Sequence, residues 1–203
     1  QETFQDLRPF KLPNYQARIV KMTFDPTEGT VALDTQILLV QKDGIKPISG
    51  RGNVISFDEV PVTYTDSSTI YDKPDYQSKS TGENYQELPH DPYGADFEGI
   101  VRDKDGNFWM CDEYRPSFYK FKADGTLLER YVPQGTSALN FPPLEQDLFG
   151  KETLPEVYSK RWANRGFEAI AYDGEANIIY GFIQSPMFNP DKITQNKSDV
   201  LRI

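Results

Sequence analysis

The sequence predicts an all-β fold assembled from short antiparallel strands, and three observations predict it. Stretches rich in Val, Ile, Tyr and Phe recur at strand-like intervals: Arg18 to Phe24, Thr35 to Val40, Val54 to Phe57, Ile100 to Arg102, Phe108 to Cys111, Phe118 to Lys122 and Ile178 to Ile183. Asp-Gly pairs at Asp43-Gly44, Asp105-Gly106, Asp124-Gly125 and Asp173-Gly174 favour the positive φ angles of tight hairpin turns. No segment sustains an amphipathic helix pattern.

Taken in order, the strands arrange themselves into units. After the N-terminal strand group comes a polar segment over residues 66–93, rich in Pro, Gly, Ser and Tyr, which reads as a long surface insertion. From Asp96 to Val132 the chain parses as strand, Asp-Gly turn, strand, a loop at Asp112 to Ser117, strand, Asp-Gly turn, strand: a four-stranded meander over about 96–132. Seventy residues after Phe97-Glu98-Gly99-Ile100 comes Phe167-Glu168-Ala169-Ile170, and the ungapped match extends through Asp103 and Asp173 to Asn107 and Asn177. A repeated four-stranded unit is the mark of a β-propeller. Between the units, residues 133–165 form a second long insertion, with a turn of helix expected around Leu144 to Phe149 or Leu154 to Lys160. The second unit spans about 166–203, and Asp199 to Ile203 reads as its third strand with no fourth to follow. The expectation is therefore one partial β-propeller over 1–203, an N-terminal part whose remaining blades come from the rest of a longer chain or from another chain.

Composition narrows the chemistry. With 22 basic against 31 acidic side chains the net charge is −9 and the pI about 4.7, which excludes a basic nucleic-acid binder. No run of about 18 apolar residues could span a bilayer as a helix. A single cysteine, Cys111, excludes an internal disulfide and a cysteine zinc site, and its strand setting makes it a small core hydrophobe. His90 is the one histidine, in a constrained Leu-Pro-His-Asp-Pro-Tyr loop, so chemistry must run on carboxylates, amides, arginines and hydroxyls. The start at Gln1, with no apolar leader, reads as an exported protein after signal-peptide removal or as an arbitrary boundary; export, to a periplasmic, secreted or cell-surface location, is the expectation. Asp103-Lys104-Asp105-Gly106-Asn107 looks like the start of a calcium loop but lacks the downstream Glu, and reads as a hairpin turn; Trp109, mid-strand, reads as blade core.

The runs Asp-Phe-Glu-Gly-Ile (96–100), Asp-Gly-Asn-Phe-Trp-Met-Cys-Asp-Glu-Tyr-Arg-Pro-Ser (105–117), Asn-Arg-Gly-Phe-Glu-Ala-Ile-Ala (164–171) and Gln-Ser-Pro-Met (184–187) resemble the phytase-like family, whose members are described as having esterase-like activity. Thr-Gln-Ile-Leu-Leu-Val-Gln-Lys-Asp-Gly (35–44) shares the likeness, so it covers roughly residues 30–203. The resemblance implies a secreted or periplasmic β-propeller about twice this length, acting on esters.

Blade geometry says which residues would carry that chemistry. In a blade the first strand starts at one ring face and the loop between the second and third strands returns to it, so Glu98 should meet Asp112, Glu113, Tyr114 and Arg115 at one end of the channel. The repeat should bring Glu168 beside Glu98, with Gln184 and Ser185 alongside and Asn164-Arg165 just ahead. Glu98 and Glu168 are the candidate metal ligands, because paired carboxylates with amide oxygens suit Ca²⁺; the arrangement also resembles calcium-dependent lactonase propellers. The competing role for both is an ion pair with Arg102 or Arg165. Glu113 or Asp112 is the candidate general base, while Arg115, Arg165, Gln184 and Asn164 are candidate contacts to a small anionic phosphate or carboxylate ester. The sequence lacks the dense acidic clusters of calcium phytase propellers, which argues against phytate itself. The alternative, from a different class, is a non-catalytic propeller that binds a ligand or partner protein as a scaffold.

Overall fold

Strand alternation decides which side chains turn inward, and the computed structural model shows the outcome for residues 7–52, 60–64, 85–136, 150–162, 164–188 and 190–200. The chain opens with β1 (Leu7–Phe10), then a hairpin of β2 (Arg18–Asp25) and β3 (Thr30–Leu38). β3 starts five residues before the expected Thr35, because Pro26 to Gly29 makes the turn. The expected strand at Val54 to Phe57 lies outside the described residues. β4 (Val60–Tyr64) pairs parallel to β1 and antiparallel to β5 (Tyr85–Glu87), around Val60, Val62 and Tyr85. The expected 66–93 insertion therefore ends earlier than its composition implies: 65–84 is outside the described residues, while Tyr85 and Asp91 are buried.

The expected meander is present. β6 (Phe97–Arg102), β7 (Phe108–Asp112), β8 (Ser117–Phe121) and β9 (Leu127–Pro133) follow one another, each antiparallel to the last. The Asp103 carboxylate closes the β6–β7 turn by accepting from the backbone N–H groups of Asp105 (3.0 Å) and Asn107 (2.8 Å), which makes this segment a hairpin turn as expected. A fifth strand that patterning misses, β10 (Lys151–Leu154), runs parallel to β9. A 3-10 turn at Glu156–Ser159 falls within the second expected helical window; the first, 144–149, lies outside the described residues.

Each face of this five-stranded sheet has its own core. Tyr119 and Phe121 alternate with Phe118 and Lys120 along β8. The first pair joins Leu39, Ile48, Ala95, Met110 and Leu127 on the face towards the N-terminal hairpin. On the other face Cys111 and Phe118 meet β11 (Phe167–Asp173) and β12 (Ile178–Ile183), an antiparallel pair contributing Phe167 and Ile183. Phe118 and Phe167 stack with ring centroids 4.7 Å apart. Gly181 permits this approach, since a Cβ there would lie 2.3 Å from the Phe118 ring.

The second unit is thus two strands among the described residues, packed on the first. Beyond β12 the chain makes a short helix, Lys192–Lys197, which the sequence patterning does not anticipate, capped by Asp191 accepting from Thr194 N–H. Asp199 and Val200 are exposed and outside any strand, and residues 201–203 lie outside the described residues. No closed ring forms among the described residues.

Candidate functional site

The β6 start, the β7–β8 loop and the β11 start lie at one end of the paired sheets. Glu113 N–H donates to the Asp96 carbonyl (2.9 Å), Gly166 N–H to the Glu113 carbonyl (2.7 Å) and Gln184 N–H to the Gly166 carbonyl (3.1 Å). This backbone ladder ties both units together where the site residues stand. Gly166 occupies the repeat position equivalent to Asp96, and a Cβ there would sit 2.4 Å from the Glu113 carbonyl oxygen, so a side chain would force the two units apart.

Three carboxylates converge on this ladder. Asp96, Glu98 and Glu113 place ligand oxygens within 4.8 Å of one another, running from exposed Glu98 through half-buried Asp96 to buried Glu113. Burial first, then the charges of Asp96, Glu168 and Glu98 and a hydrogen bond with Asp96, push the Glu113 carboxyl from an ordinary 4.5 up to about 8. Glu98 is also raised, by burial and then by Asp96 and Glu168. The structure thus brings Glu98, Glu113 and Glu168 into one electrostatic cluster.

Other candidates take different places. Asp112 is fully buried: its Oδ1 accepts from Asp96 N–H (3.0 Å) and Tyr114 N–H (3.1 Å), its Oδ2 from Arg115 N–H (3.3 Å) and Ser117 Oγ (3.1 Å). Arg130 Nη2 lies 3.7 Å from the same oxygen, with both side chains inaccessible. Asp112 therefore fastens the β7–β8 loop beneath the cluster. Arg115 is likewise wholly buried, away from any surface a substrate could touch, whereas Arg165 is exposed. Asn164, held at φ 53°, accepts from Arg8 Nη1 through Oδ1 (2.8 Å). Cys111 is buried and its thiol is pushed up to about 12 by burial and then by Asp112, which makes it inert core. Trp109 is half-buried, stacked on Tyr131 with ring centroids 5.5 Å apart.

Sequence reasoning missed two members. Arg8, from β1, donates to Asp96 Oδ2 (2.6 Å) and lies 5.0 Å over the Tyr114 ring; no local signal links it to a residue 88 positions away. Asp96 did carry a signal. It stands two before Glu98, and residues two apart on a strand share a face.

The donor set fits a hard cation. All its atoms are oxygens, and Ca²⁺ takes about six to eight of them with tolerant geometry. Gln184 Oε1 and Ser185 Oγ, just past β12, are buried oxygens with no hydrogen-bond partner among the described residues, the kind of spare acceptor a cation or its bound water can use. A carboxyl pushed up to about 8, by burial first and then by neighbouring anions, is one that a divalent cation would deprotonate on binding.

Fold and site define a strand-built protein with an oxygen-rich acidic cluster where two sheets meet. The family model described as Phytase-like, esterase-like activity of phytase, matches residues 5–203, and the chain belongs to that family. A protein of Arthroderma benhamiae named "Uncharacterized secreted protein" is 34% identical over 105 residues, covering 46% of this chain and 20% of that protein. The match thus spans about a fifth of that relative's length. No solved structure matches. Among the described residues no helix is long and apolar enough to cross a membrane.

Proposed function

We propose that this chain is part of a secreted β-propeller that hydrolyses phosphate or carboxylate esters of small anionic substrates with a calcium ion at the acidic cluster. The observation that carries the reading is the convergence of Asp96, Glu98 and Glu113 within 4.8 Å, with Glu168 alongside. Family membership supports ester hydrolysis, and the secreted relative supports export. The repeat, together with sheets packed face to face, supports the propeller.

Asp96, Glu98 and Glu113 would hold the ion, with Glu168 adding negative potential. Bound there, Ca²⁺ would polarise a phosphoryl or carbonyl oxygen and acidify a water. Without the ion Glu113 keeps its proton up to about pH 8, and on binding it would lose that proton and serve as a carboxylate ligand. Arg8 fixes Asp96 and Asn164 from the far side, which keeps the cluster in register. Arg165, which is exposed, would meet the substrate anion.

The test is turnover of generic phosphate and carboxylate esters with and without EDTA. Activity should vanish with the chelator, return with Ca²⁺, and fall on the order of a hundredfold in Glu98→Gln. Turnover indifferent to both treatments rejects the reading. A scaffold role draws on a separate observation, the exposed apolar row of Val20, Met22, Phe24, Val31 and Leu33 on the β2–β3 hairpin, and binding without turnover would favour it.

A further inference from the structure

A cleft of about 360 Å³ lies at the end of the sheets opposite the acidic cluster, within the usual size range of small-ligand pockets, about 300–1,000 Å³. Register puts it there. Asp96 and Glu98 stand at the start of β6 and Glu113 just past β7, whereas the cleft is lined from the other strand ends, by the β6–β7 turn, Trp109 and the β11–β12 turn. Its floor is the sheet face that carries Trp109, Lys120, Phe118 and Tyr131, because cross-strand partners share a face. Trp109 and Tyr131 stack on that floor with ring centroids 5.5 Å apart, and both are only half-buried. The two turns that frame the cleft are tied together: Lys104 N–H donates to Tyr172 Oη (3.4 Å), which donates to Asn177 Oδ1 (2.9 Å).

The charged groups lining the cleft are Asp103, Asp105 and Lys120, and their pairing decides what it can take. Asp103 is committed: its Oδ2 accepts from Trp109 Nε1 (2.9 Å) and lies 3.3 Å from Lys120 Nζ. The Lys120 ammonium in turn lies 5.0 Å from the Trp109 ring centroid. This tells against an anionic ligand, since the lining cation is already neutralised and exposed Asp105 adds negative charge. It tells equally against a cationic ligand, whose place beside the indole Lys120 already holds. A wholly apolar ligand would strip water from the Lys120–Asp103 pair and the Tyr172 hydroxyl and return no hydrogen bond. What fits is a neutral ring with C–H faces and a hydroxyl edge.

We propose that the cleft binds a neutral saccharide, one sugar ring lying against the Trp109–Tyr131 pair with its hydroxyls towards Asp105, Thr153 and Asn177. The aromatic pair offers the ring an apolar surface, and the three polar groups match what hydroxyls need. The Asp105 carboxylate accepts, the Thr153 hydroxyl does both, and Asn177, whose Oδ1 already takes the Tyr172 hydroxyl, donates through its amide. The site is independent of the calcium chemistry and of ring closure.

Trp109 is one of two tryptophans, so Trp162→Phe leaves it as the sole indole, a reporter inside the cleft. The test titrates that protein, in EDTA to keep metal from the acidic cluster, with cellohexaose, maltohexaose and chitohexaose, and with choline and inorganic phosphate as charged probes. At least one hexasaccharide should change Trp109 emission saturably, and neither charged probe should. Because Trp109 also braces Asp103 and Tyr131, the variants are placed at the exposed rim. Asp105→Ala should weaken binding about tenfold and Thr153→Phe, which fills the cleft, should abolish it, both without lowering the melting temperature. Binding that survives both variants, a saturable response to choline or phosphate alone, or no response to any of the three saccharides overturns the proposal. Sedimentation with microcrystalline cellulose or chitin, lost in Thr153→Phe, would support the site and identify a polymer as its source of sugar; binding of the soluble chains alone would support it with free oligosaccharides. Ester turnover with Ca²⁺ restored reads the other site, and Thr153→Phe should leave it unchanged.

Discussion

Glu113 gives the site its pH signature. Below about 4.5 both folded and unfolded chains hold its proton; above that the unfolded chain ionises first, so stability declines as pH rises towards about 8 and the decline then ceases. Thermal melts in EDTA should show this loss, and Glu113→Gln should flatten it. If the wild type and variant keep parallel profiles, the carboxyl is not crowded as described. Calcium should bind more tightly as pH passes through about 8, because the proton must leave first. Asp112 is the opposite kind of residue. Asp112→Ala would remove the carboxylate beside the inaccessible Arg130 guanidinium, which keeps its bond to the Pro92 carbonyl (2.8 Å), and would leave the β7–β8 loop donors without their acceptor, at a cost of about 3–5 kcal/mol in urea unfolding. A loss below about 1 kcal/mol would show that the loop does not depend on it.

Elements were legible in proportion to how local their causes are. Alternation with Asp-Gly turns located β7, β8 and β12 within a residue, and the ends of β6 and β9 likewise, because pattern and turn chemistry reside in the strands themselves; β6 begins three residues before the expected Ile100. β10 was not legible: its four residues, Lys151–Leu154, carry no alternation of their own and are recruited by the edge of β9. The site followed the same rule. Glu98, Glu113 and Glu168 came from the repeat and blade geometry, while Arg8 arrives through a parallel pairing of β1 with β4 that no local pattern announces. Asp112 and Arg115 share the acidic loop's sequence position with Glu113 yet turn inward, since a tight loop must satisfy its own backbone donors. The meeting of elements at Gly166 is testable. Gly166→Ala should cost about 1–3 kcal/mol by pushing β11 from the Glu113 carbonyl, and should weaken calcium binding with it. Unchanged stability and affinity would show that the two units are not in contact there.

At the scale of the molecule, the described residues form four sheets, and the five-stranded one is the largest. Its two faces are filled by separate cores, and the outer flanks expose apolar rows, Met22, Phe24 and Leu33 on one side and Ile178, Tyr180 and Phe182 on the other. Blades of a ring bury such faces against their neighbours, and the acidic cluster lies at the end of the sheets where a ring would gather equivalent positions from every unit. The central claim is that this cluster takes a cation. Its most direct test is a crystal structure of the protein soaked in millimolar Ca²⁺. The account predicts density for one ion between Asp96, Glu98 and Glu113, with oxygens at about 2.3–2.6 Å. Carboxyl groups that remain hydrogen-bonded to one another, with Glu113 still protonated and no ion among them, would contradict it.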